Sequence, residues 1–424
     1  MNIKTLNYPP DKQRVIMNKH PTSLLTGTSS DSLRDRTIVL AVTGSIGAVR
    51  TVELARKLIR HGASVKAVMS EAAQGIIHPD ALHYATGQPV ITRITGAVEH
   101  VEYCGEDGVA DLLLVAPCTA NTIGKMAAGI DDTPPTTFAT TALGCSVPVM
   151  LVPAMHGSMY NHPGVLENIR KLKQRGVHIL DPVLAEKTAK IATNEHIVLE
   201  VERVLGSGSM KGKKVVITGG GTVERIDPVR VLTNRASGRT GMALALETYR
   251  RGADVTLVLP VLQGIHSTGI IEMKAESAED MTRCVLDEIE KGCDLFISSA
   301  AVSDYTVEPR DDKIKSGQDM ITLNLRPTRK MLQAVRDAYP GLDMIGFKAE
   351  AHMSRDEMLA CARDLMDRYG LVMVVANDVG TGGMGTENNT VYLMEASGMV
   401  TGPVTGDKQG IAGSILDKYL EVCG

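Results

Sequence analysis

Two glycine-rich turns in the chain combine small residues with hydroxyl groups, a composition typical of phosphate binding. The first, TGSIGA, spans residues 43–48 and follows an apolar strand that begins at Thr37. The second, GGGT, spans residues 219–222 and follows the strand KVVIT. Glycine lets the backbone approach a phosphate, and a following helix offers unpaired N–H groups and the positive end of its dipole. Two such turns indicate two anion sites, and therefore two activities, on one polypeptide.

Polar side chains that follow other strands can join the first turn. Ser45 lies in the turn itself, and Thr119 and Asn121 follow the third apolar strand. Because ligands of open parallel sheets bind at the carboxyl ends of strands, we expect these two hydroxyl groups and one amide to converge on one phosphate. His100 precedes the third strand, and a lone histidine is more often a surface or hydrogen-bonded residue than a catalytic one. The residues alone therefore predict an anion site but give His100 no role.

Short aliphatic strands that alternate with helical patterns must position these residues. Between residues 37 and 204 the strands read IVLAV, SVKAVM, DLLLVAP, VPVMLVP and VHIL. Such continuous apolar runs are typical of strands buried on both faces of a parallel sheet. The alternation restarts at residue 213, with later strands in DLFISSAA, MIGFKAE and VMVVAND. We predict an α/β fold with two doubly wound, Rossmann-like or flavodoxin-like, parallel-sheet domains.

A helix is expected after each turn. The helix after the second turn should end at Arg251 and Gly252, and the last helix of the chain should span residues 408–422. The helix after the first turn is predicted to be amphipathic, since five apolar residues fall on one stripe: Val49, Val52, Ala55, Leu58 and Ile59.

The length of the chain favours two domains, because 424 residues exceed what one core normally organises. The segment LGSGSMKGKK is small, flexible and basic, and is the best candidate for a linker. We predict an N-terminal extension over residues 1–35, a first domain over 36–204, a linker over 205–212 and a second domain over 213–424.

Composition excludes several classes of function. A net charge of -4 gives no reason to expect nucleic acid or an anionic membrane as a partner. The 7 cysteines are scattered without a C-x-x-C pair, which argues for the reducing cytoplasm and against a disulfide framework or a zinc site. No apolar stretch reaches about 18 residues, so we expect neither a membrane span nor secretion.

The spacing of the glycines indicates whether the two turns can bind a dinucleotide cofactor. A dinucleotide fingerprint requires G-x-G-x-x-G opening directly into a helix. The first turn offers only Gly44 and Gly47, and the second has Glu224 where a third glycine belongs. This spacing favours a mononucleotide site or a structural turn, and a two-domain NAD(P)-dependent oxidoreductase is kept as an alternative.

Longer motifs give a more specific indication. In the first half, TGSIGA, His100, APCTANTIGKMAAGIDD and PAMHGSMY resemble, in this order, the flavin-dependent cysteine decarboxylase family. The second half resembles phosphopantothenate-cysteine ligase through ITGGGTVERIDPVRVLTNRASGRTG, SSAAVSDY, KIKS, GFKAE and ANDVG. Together, residues 36–420 resemble the bifunctional phosphopantothenoylcysteine decarboxylase/phosphopantothenate-cysteine ligase family of coenzyme A biosynthesis, and several long motifs in order are more specific than one short pattern.

For the first half, the resemblance implies an FMN-dependent decarboxylase. FMN would oxidise the thiol end of phosphopantothenoylcysteine to a thioaldehyde, carbon dioxide would leave, and the reduced flavin would return the electrons, so no external NAD(P)H is consumed. His100 is the implied base or orienting group, and Met155 and His156 are the implied substrate contacts. The implied FMN contacts are Gly44, Ser45, Ile46, Ser70, Thr119 and Asn121.

For the second half, the resemblance implies that a nucleoside triphosphate, CTP in bacterial relatives, activates the carboxylate of phosphopantothenate as an acyl-cytidylate, which cysteine then attacks. This chemistry needs cations and a metal, expected to be Mg²⁺, around the triphosphate. Asn234 and Lys313 are the implied catalytic residues; Asp304 is the one candidate metal contact, with no dedicated metal cluster. The implied nucleotide contacts are Gly219, Gly220, Ser298, Ser299, Ala300, Asp304, Lys313 and Phe347.

The resemblance also implies assembly and a competing function. It suggests trimers of the flavin domain, with sites formed between subunits, and dimers of the ligase domain, with Asp227 and Arg230 near the subunit interface. Some relatives of the flavoprotein family bind a phosphatase, so a regulatory flavin-binding protein is a second alternative.

Three positions depart from the family pattern. His156 stands where the family has asparagine, and the expected flap at residues 181–192 has no cysteine to donate a proton. Lys187 or Lys190 could cover a phosphate or a carboxylate there. A lysine pair that contacts the nucleotide in bacterial ligases is replaced by its nearest cations, Arg363 and Arg368, which leaves the choice between CTP and ATP open.

Overall fold

The structure is a computed structural model of the chain. It describes residues 20–181, 183–185, 188–190, 192–265, 269–315, 320–378 and 388–423, and the side chains of all of these except 183–185, 188–190 and 378. The chain divides between Leu205 and Gly206 into two compact units. Among the described residues, no helix combines the length and apolar character needed to cross a membrane.

The first unit is built on a five-stranded parallel sheet of order β2-β1-β3-β4-β6, and β5, β8 and β7 form a small antiparallel sheet. Its strands are β1 Thr37–Val42, β2 Ser64–Met69, β3 Leu112–Cys118, β4 Val149–Pro153, β5 Met155–His156, β6 His178–Ile179, β7 Val183–Ala185 and β8 Thr188–Lys190. Its helices are α1 Thr51–Arg60, α2 Glu71–Gln74, α3 Pro79–Thr86, α4 Glu99–Cys104, α5 Ala120–Ala128, α6 Pro134–Gly144, α7 Gly157–Tyr160, α8 Pro163–Gln174 and α9 Asn194–Leu205.

The second unit is built on an eight-stranded sheet of order β13-β12-β9-β14-β17-β18-β19-β20, in which only the β18-β19 and β19-β20 pairings are antiparallel. The strands are β9 Lys214–Thr218, β10 Val223–Arg225, β11 Val231–Thr233, β12 Asp254–Leu259, β13 Ile270–Lys274, β14 Leu295–Ser298, β15 Tyr305–Val307, β16 Leu325–Pro327, β17 Asp343–Glu350, β18 Met373–Asp378, β19 Asn388–Glu395 and β20 Val400–Asp407. The helices are α10 Arg239–Arg250, α11 Ala278–Glu290, α12 Met331–Ala338, α13 Arg355–Tyr369 and α14 Lys408–Cys423. One parallel sheet and one mainly parallel sheet, each packed with helices, confirm the predicted fold class.

The continuous apolar strands are buried on both sides, as their composition predicts. All residues of β3 are buried. One core cluster packs Leu114 against α1, and a second cluster, on the opposite face of the sheet, packs Leu113 against α5 and α6. The carboxyl ends of the strands are therefore the part of the sheet where polar loops can meet.

The first turn leads into the helix differently from the prediction. Residues Ile46–Arg50 form a 3₁₀ turn, and the α-helix begins only at Thr51. The change of helical pitch takes Val49 off the stripe, and its side chain is exposed, whereas Leu54, Leu58 and Ile59 are buried. The predicted position of Val49 in the buried stripe is wrong.

Residues 20–35, which the sequence placed in an extension, pack on the first unit. Leu33 is completely buried in the core that contains α1. The hydroxyl of Thr22 donates to the carbonyl of Tyr84 at 2.8 Å. In the second unit, the expected linker also has contacts, since Met210 is buried and its N–H donates to the carbonyl of Arg251 at 2.9 Å.

Candidate active sites

Four predicted flavin contacts lie at the carboxyl ends of three adjacent strands. Gly44 and Ser45 follow β1, Ser70 follows β2 and Thr119 follows β3, and β1 pairs with both other strands. The three hydroxyl groups cap the turns that follow, because each accepts a hydrogen bond from a backbone N–H two or three residues later. A capping hydroxyl can still donate its own proton to a bound anion.

Gly44 is required by the packing of the first turn. A Cβ atom at this position would lie 2.5 Å from the Cβ of Ala72. The backbone of the turn therefore runs close to α2 without a side chain between them, which is the kind of cradle that a phosphate group needs. Asn121 and Ile46 are both exposed at the same edge. These residues fit the phosphate of a flavin mononucleotide.

His100 lies apart from the turn. It belongs to α4, its ring lies edge-on to Phe138 with the centroids 6.5 Å apart, and its Nδ1 is buried without a hydrogen-bond partner. Phe138 is in the core on the α5–α6 face, whereas α1, which follows the turn, packs on the other face. His100 therefore lies beside the core on the α5–α6 face, whereas the helix that follows the turn packs on the other face.

The predicted substrate contacts Met155 and His156 form β5. In the small sheet, Met155 pairs with Ala189 and His156 pairs with Thr188, so the expected flap runs beside them. His156 is exposed, and Met155 packs against the core. Lys187 and the side chain of Lys190 lie outside the described residues.

A tyrosine and a carboxylate lie at the base of the expected flap. The hydroxyl of Tyr160 donates to Asp181 at 3.1 Å, and the ammonium of Lys173 donates to the same carboxylate at 3.3 Å. Burial, together with the charge of Asp181, raises the pKa of Tyr160 to about 12. Tyr160 is therefore protonated at neutral pH.

The second unit contains a cleft of about 570 Å³ at the carboxyl ends of its strands. Most of the predicted ligase residues line it: Gly220, Asn234, Ser298, Ser299, Ala300, Asp304 and Phe347. The loop after β14 is joined to the glycine turn by hydrogen bonds from Ala301 N–H to the carbonyl of Gly220, 2.8 Å, and from Ser303 N–H to the hydroxyl of Thr222, 2.9 Å. The amide of Asn234 donates to the carbonyl of Ala301 at 3.1 Å.

Some predicted donors in this cleft are already engaged. The hydroxyl of Ser299 donates to the carbonyl of Thr218, and the N–H of Ala300 contacts the hydroxyl of Thr218 at 3.4 Å. Asp304 forms an ion pair with Lys330. Among the described residues, no group of three histidine, cysteine, aspartate or glutamate side chains could hold a metal ion. Asp304 therefore lines the cleft as the ion-pair partner of Lys330.

Gly219 shapes the cleft through close packing. A Cβ on Gly241, in the first turn of α10, would lie 2.9 Å from the Cα of Gly219. The glycines therefore allow α10 to touch the end of β9, although the hairpin β10–β11 is inserted between the turn and the helix. The sequence predicted the helix but not the hairpin. This inserted hairpin is the physical reason why the glycine spacing departs from a dinucleotide fingerprint.

Comparisons with known proteins agree with this arrangement. The family "Flavoprotein" matches residues 26–206, and the family "DNA/pantothenate metabolism flavoprotein C-terminal domain" matches residues 210–422. The chain is 47% identical over 378 residues to the coenzyme A biosynthesis bifunctional protein CoaBC of Thermococcus kodakarensis, covering 88% of this chain and 93% of that protein. It is 37% identical over 406 residues to the protein of the same name from Methanocaldococcus jannaschii, covering 95% and 98%. The chain belongs to the CoaBC family.

Membership in the CoaBC family decides between the functions that the sequence left open. The chain is a bifunctional enzyme of coenzyme A biosynthesis, with a flavoprotein decarboxylase domain and a ligase domain. A similar protein from Bacillus subtilis is 33% identical over 384 residues, covering 86% of this chain and 92% of that protein. The regulatory flavin-binding protein and the NAD(P)-dependent oxidoreductase are therefore not supported.

Three cations were expected near the nucleotide, and one of them lines the cleft. Arg368 lines the cleft. Arg363 instead donates to the carbonyl of Ala396 at 3.4 Å and is not among the lining residues. Lys313 is exposed and does not line the cleft either. Of the two arginines, only Arg368 is placed to contact a nucleotide.

Sequence reasoning missed several polar residues of the cleft: Arg235, Arg239, Thr240, Lys330, Lys348, Asn377, Asn389 and Lys408. Three of these, Arg235, Arg239 and Thr240, lie in the motif NRASGRTG, so their proximity to Asn234 was a usable signal. Lys408 begins the last helix, and its ammonium lies 3.4 Å from the hydroxyl of Thr240. Burial, and then the charge of Arg239, lower the pKa of Lys408.

Proposed function

We propose that the second domain joins phosphopantothenate to cysteine through an acyl-nucleotide formed from CTP with Mg²⁺. The observation that supports this best is the cleft, which gathers Asn234, the glycine turn and the loop after β14. The amide of Asn234 is oriented by its hydrogen bond to the carbonyl of Ala301. In this position it holds the acyl-phosphate while cysteine attacks the carbonyl carbon.

The triphosphate would be neutralised mainly by side-chain cations. Because Ser299 and Ala300 already make internal hydrogen bonds, they leave fewer donors for phosphate than their sequence suggests. Arg235, Arg239, Arg368 and Lys408 line the same cleft and supply positive charge to it. Such fixed cations stabilise the charge that develops on the leaving pyrophosphate. Lys313, which is exposed outside the cleft, keeps its catalytic role as part of the proposal, and Phe347, which lines the cleft, would contact the nucleotide.

In the first domain, the proposed cofactor is FMN and the proposed reaction is decarboxylation of phosphopantothenoylcysteine. FMN supplies the reversible oxidation of the substrate thiol that makes loss of carbon dioxide possible. Gly44 and the hydroxyls of Ser45, Ser70 and Thr119 would hold its phosphate. His156 can donate a hydrogen bond to the substrate carboxylate, in place of the family's asparagine.

His100 supports a site shared between copies of the flavin domain. Its unpartnered Nδ1 is on the α5–α6 side of the sheet, while the turn leads to the other side. We infer that His100 of one copy completes the flavin site of a neighbour, as in a trimer of this domain, and that the ligase domains pair as dimers.

A mass-spectrometric assay tests the proposal. The purified protein is incubated with phosphopantothenate, cysteine and Mg²⁺, and CTP, ATP, GTP and UTP are supplied in parallel. We expect CTP to give phosphopantetheine, CMP and pyrophosphate, and the protein to be yellow from bound FMN. Product formation that is equal with every triphosphate would contradict the assignment of CTP, and omission of Mg²⁺ should stop pyrophosphate release.

A further inference from the structure

Asp227 has a buried carboxylate that no part of the proposed reaction uses. It lies between β10 and β11, and its side chain has no exposed surface. Its Oδ1 accepts hydrogen bonds from the N–H groups of Val229 and Arg230, both at 2.7 Å. Its Oδ2 accepts from the N–H of Ile314 at 3.1 Å and from the guanidinium of Arg230. Burial opposes the charge, but these donors lower the pKa of Asp227 well below its usual range.

The partner Ile314 follows Lys313 in the chain. Ile314 is buried, and its carbonyl accepts a further hydrogen bond from Arg230 at 3.1 Å. Four residues earlier, the N–H of Arg310 donates to the carbonyl of Ile226 at 2.9 Å. Both ends of segment 310–314 are therefore fixed to the hairpin turn, while Lys313 between them is exposed.

The same hairpin also leads to the cleft. Its second strand, β11, ends at Thr233, directly before Asn234. Its first strand, β10, follows the glycine turn. In the ladder, Val223 of β10 pairs with Thr233 of β11, and Arg225 pairs with Val231. One short antiparallel ladder thus connects the residue that holds segment 310–314 to a residue that lines the cleft.

We propose that Asp227 is a positioning residue for ligation, which fixes Lys313 relative to Asn234 by holding the N–H of Ile314. The inference rests on the proposed function, in which Lys313 neutralises the nucleotide. Asp227 itself has two donors on each oxygen and contacts no substrate. Its charge is needed because four donors converge on it and a neutral group could not accept from all of them.

The first test is a double-mutant cycle. Asp227→Asn keeps the size of the side chain but turns an N–H₂ group towards two of its donors, Ile314 N–H and the Arg230 guanidinium. We expect kcat for pyrophosphate release to fall by about tenfold or more in this variant, and Lys313→Ala to lower it as well. In the Lys313→Ala background, the further loss from Asp227→Asn should be less than about twofold, because the positioned group is gone. Multiplicative losses, or a Lys313→Ala variant as active as the wild type, would overturn the proposal.

A second readout is independent of ligation and separates failure of this inference from failure of the proposed function. Hydrogen–deuterium exchange should show slow exchange of peptide 308–315 in the wild type and faster exchange in Asp227→Asn, with α11 unchanged. Glu224→Gln is the matched control, since Glu224 is a buried carboxylate on the same hairpin whose partners are Ala278 N–H and the hydroxyl of Thr306. It should leave exchange at Ile314 and pyrophosphate release near wild type. Unaltered exchange at Ile314 in Asp227→Asn, or an equal effect of Glu224→Gln there, would contradict the positioning role.

If Asp227→Asn fails to fold, Arg230→Ala replaces it in both measurements. This variant removes both hydrogen bonds of the guanidinium, to the carbonyl of Ile314 and to Oδ2 of Asp227, and so loosens the carboxylate that holds the N–H of Ile314. A smaller loss of pyrophosphate release with the same dependence on Lys313 is expected, and an unaltered rate would overturn the proposal.

Discussion

Asn234 is the residue on which the ligase assignment depends most. Its amide is placed by the carbonyl of Ala301 and lines the cleft. In Asn234→Ala, the rate of amide formation should fall by roughly 10²-fold, a size typical of removing one oriented donor. Pyrophosphate release and amide formation are followed in the same sample. Decarboxylation of supplied phosphopantothenoylcysteine is the internal control and should stay at the wild-type rate; a parallel loss of both activities would mean that the change disturbs the whole chain.

His100 offers the corresponding test in the first domain. Its buried Nδ1 has no partner, so Asn in its place leaves no broken internal hydrogen bond at that atom. We expect His100→Asn to abolish release of carbon dioxide, measured as labelled gas, while ligation and the visible flavin absorbance are retained. Normal decarboxylation by this variant would remove His100 from the site.

The lowered pKa of Lys408 predicts a pH dependence of nucleotide binding. Burial and the charge of Arg239 both favour the neutral amine, so Lys408 loses its proton at a lower pH than an ordinary lysine does. As pH rises towards that lowered pKa, the cleft loses a cation and KM for CTP should increase. Initial rates across pH measure this, and Lys408→Met should raise KM at neutral pH and flatten the profile. An unchanged profile in the variant would show that another group titrates.

At the scale of residues, the sequence could predict what lies inside continuous motifs. Asn234, Ser298 and Phe347 each belong to a quoted motif, and all three line the cleft. Lys408 could not be predicted, because it is 168 residues from Thr240 and only the folded chain brings them together. The roles of these residues stay predictions, and the substitutions of Asn234 and Lys408 test two of them.

At the scale of elements, the contact between α10 and β9 determines the shape of the cleft. Gly241→Ala would place a Cβ 2.9 Å from the Cα of Gly219, and backbone atoms cannot yield as a flexible side chain does. We expect a loss of about 1–3 kcal/mol in the free energy of unfolding of the second domain and weaker CTP binding. Thermal unfolding and CTP titration measure the two effects.

Gly413→Ala is a matched control for this prediction. Gly413 also lies in a helix, and a Cβ there would be no closer than 3.8 Å to the guanidinium of Arg251. Alanine has the higher helix propensity, so this variant should be neutral or slightly more stable. Equal destabilisation by both substitutions would argue against the close approach of α10 and β9.

Some secondary-structure elements could be predicted from the sequence pattern, and others could not. Strand composition predicted the parallel strands of both sheets, because burial on two faces leaves little freedom in residue type. The 3₁₀ turn before Thr51 was missed, since a change of pitch shifts the phase of the stripe without altering its composition. The hairpin β10–β11 was missed because its two strands have only three residues each, too few to show a period.

At the scale of the whole molecule, the two compact units each contain one candidate site. The first unit contains the turn and hydroxyl caps, and the second contains the cleft. Phosphopantothenoylcysteine is the product of one proposed reaction and the substrate of the other. Removing the flavin should therefore separate the two steps without affecting the first.

This separation gives the most direct test of the central claim. Protein stripped of flavin is supplied with phosphopantothenate, cysteine, CTP and Mg²⁺, and the products are followed by mass spectrometry before and after FMN is added. We predict that phosphopantothenoylcysteine accumulates first and that added FMN converts it to phosphopantetheine with loss of carbon dioxide. Formation of phosphopantetheine without flavin, or failure to form phosphopantothenoylcysteine at all, would contradict the assignment of one activity to each domain.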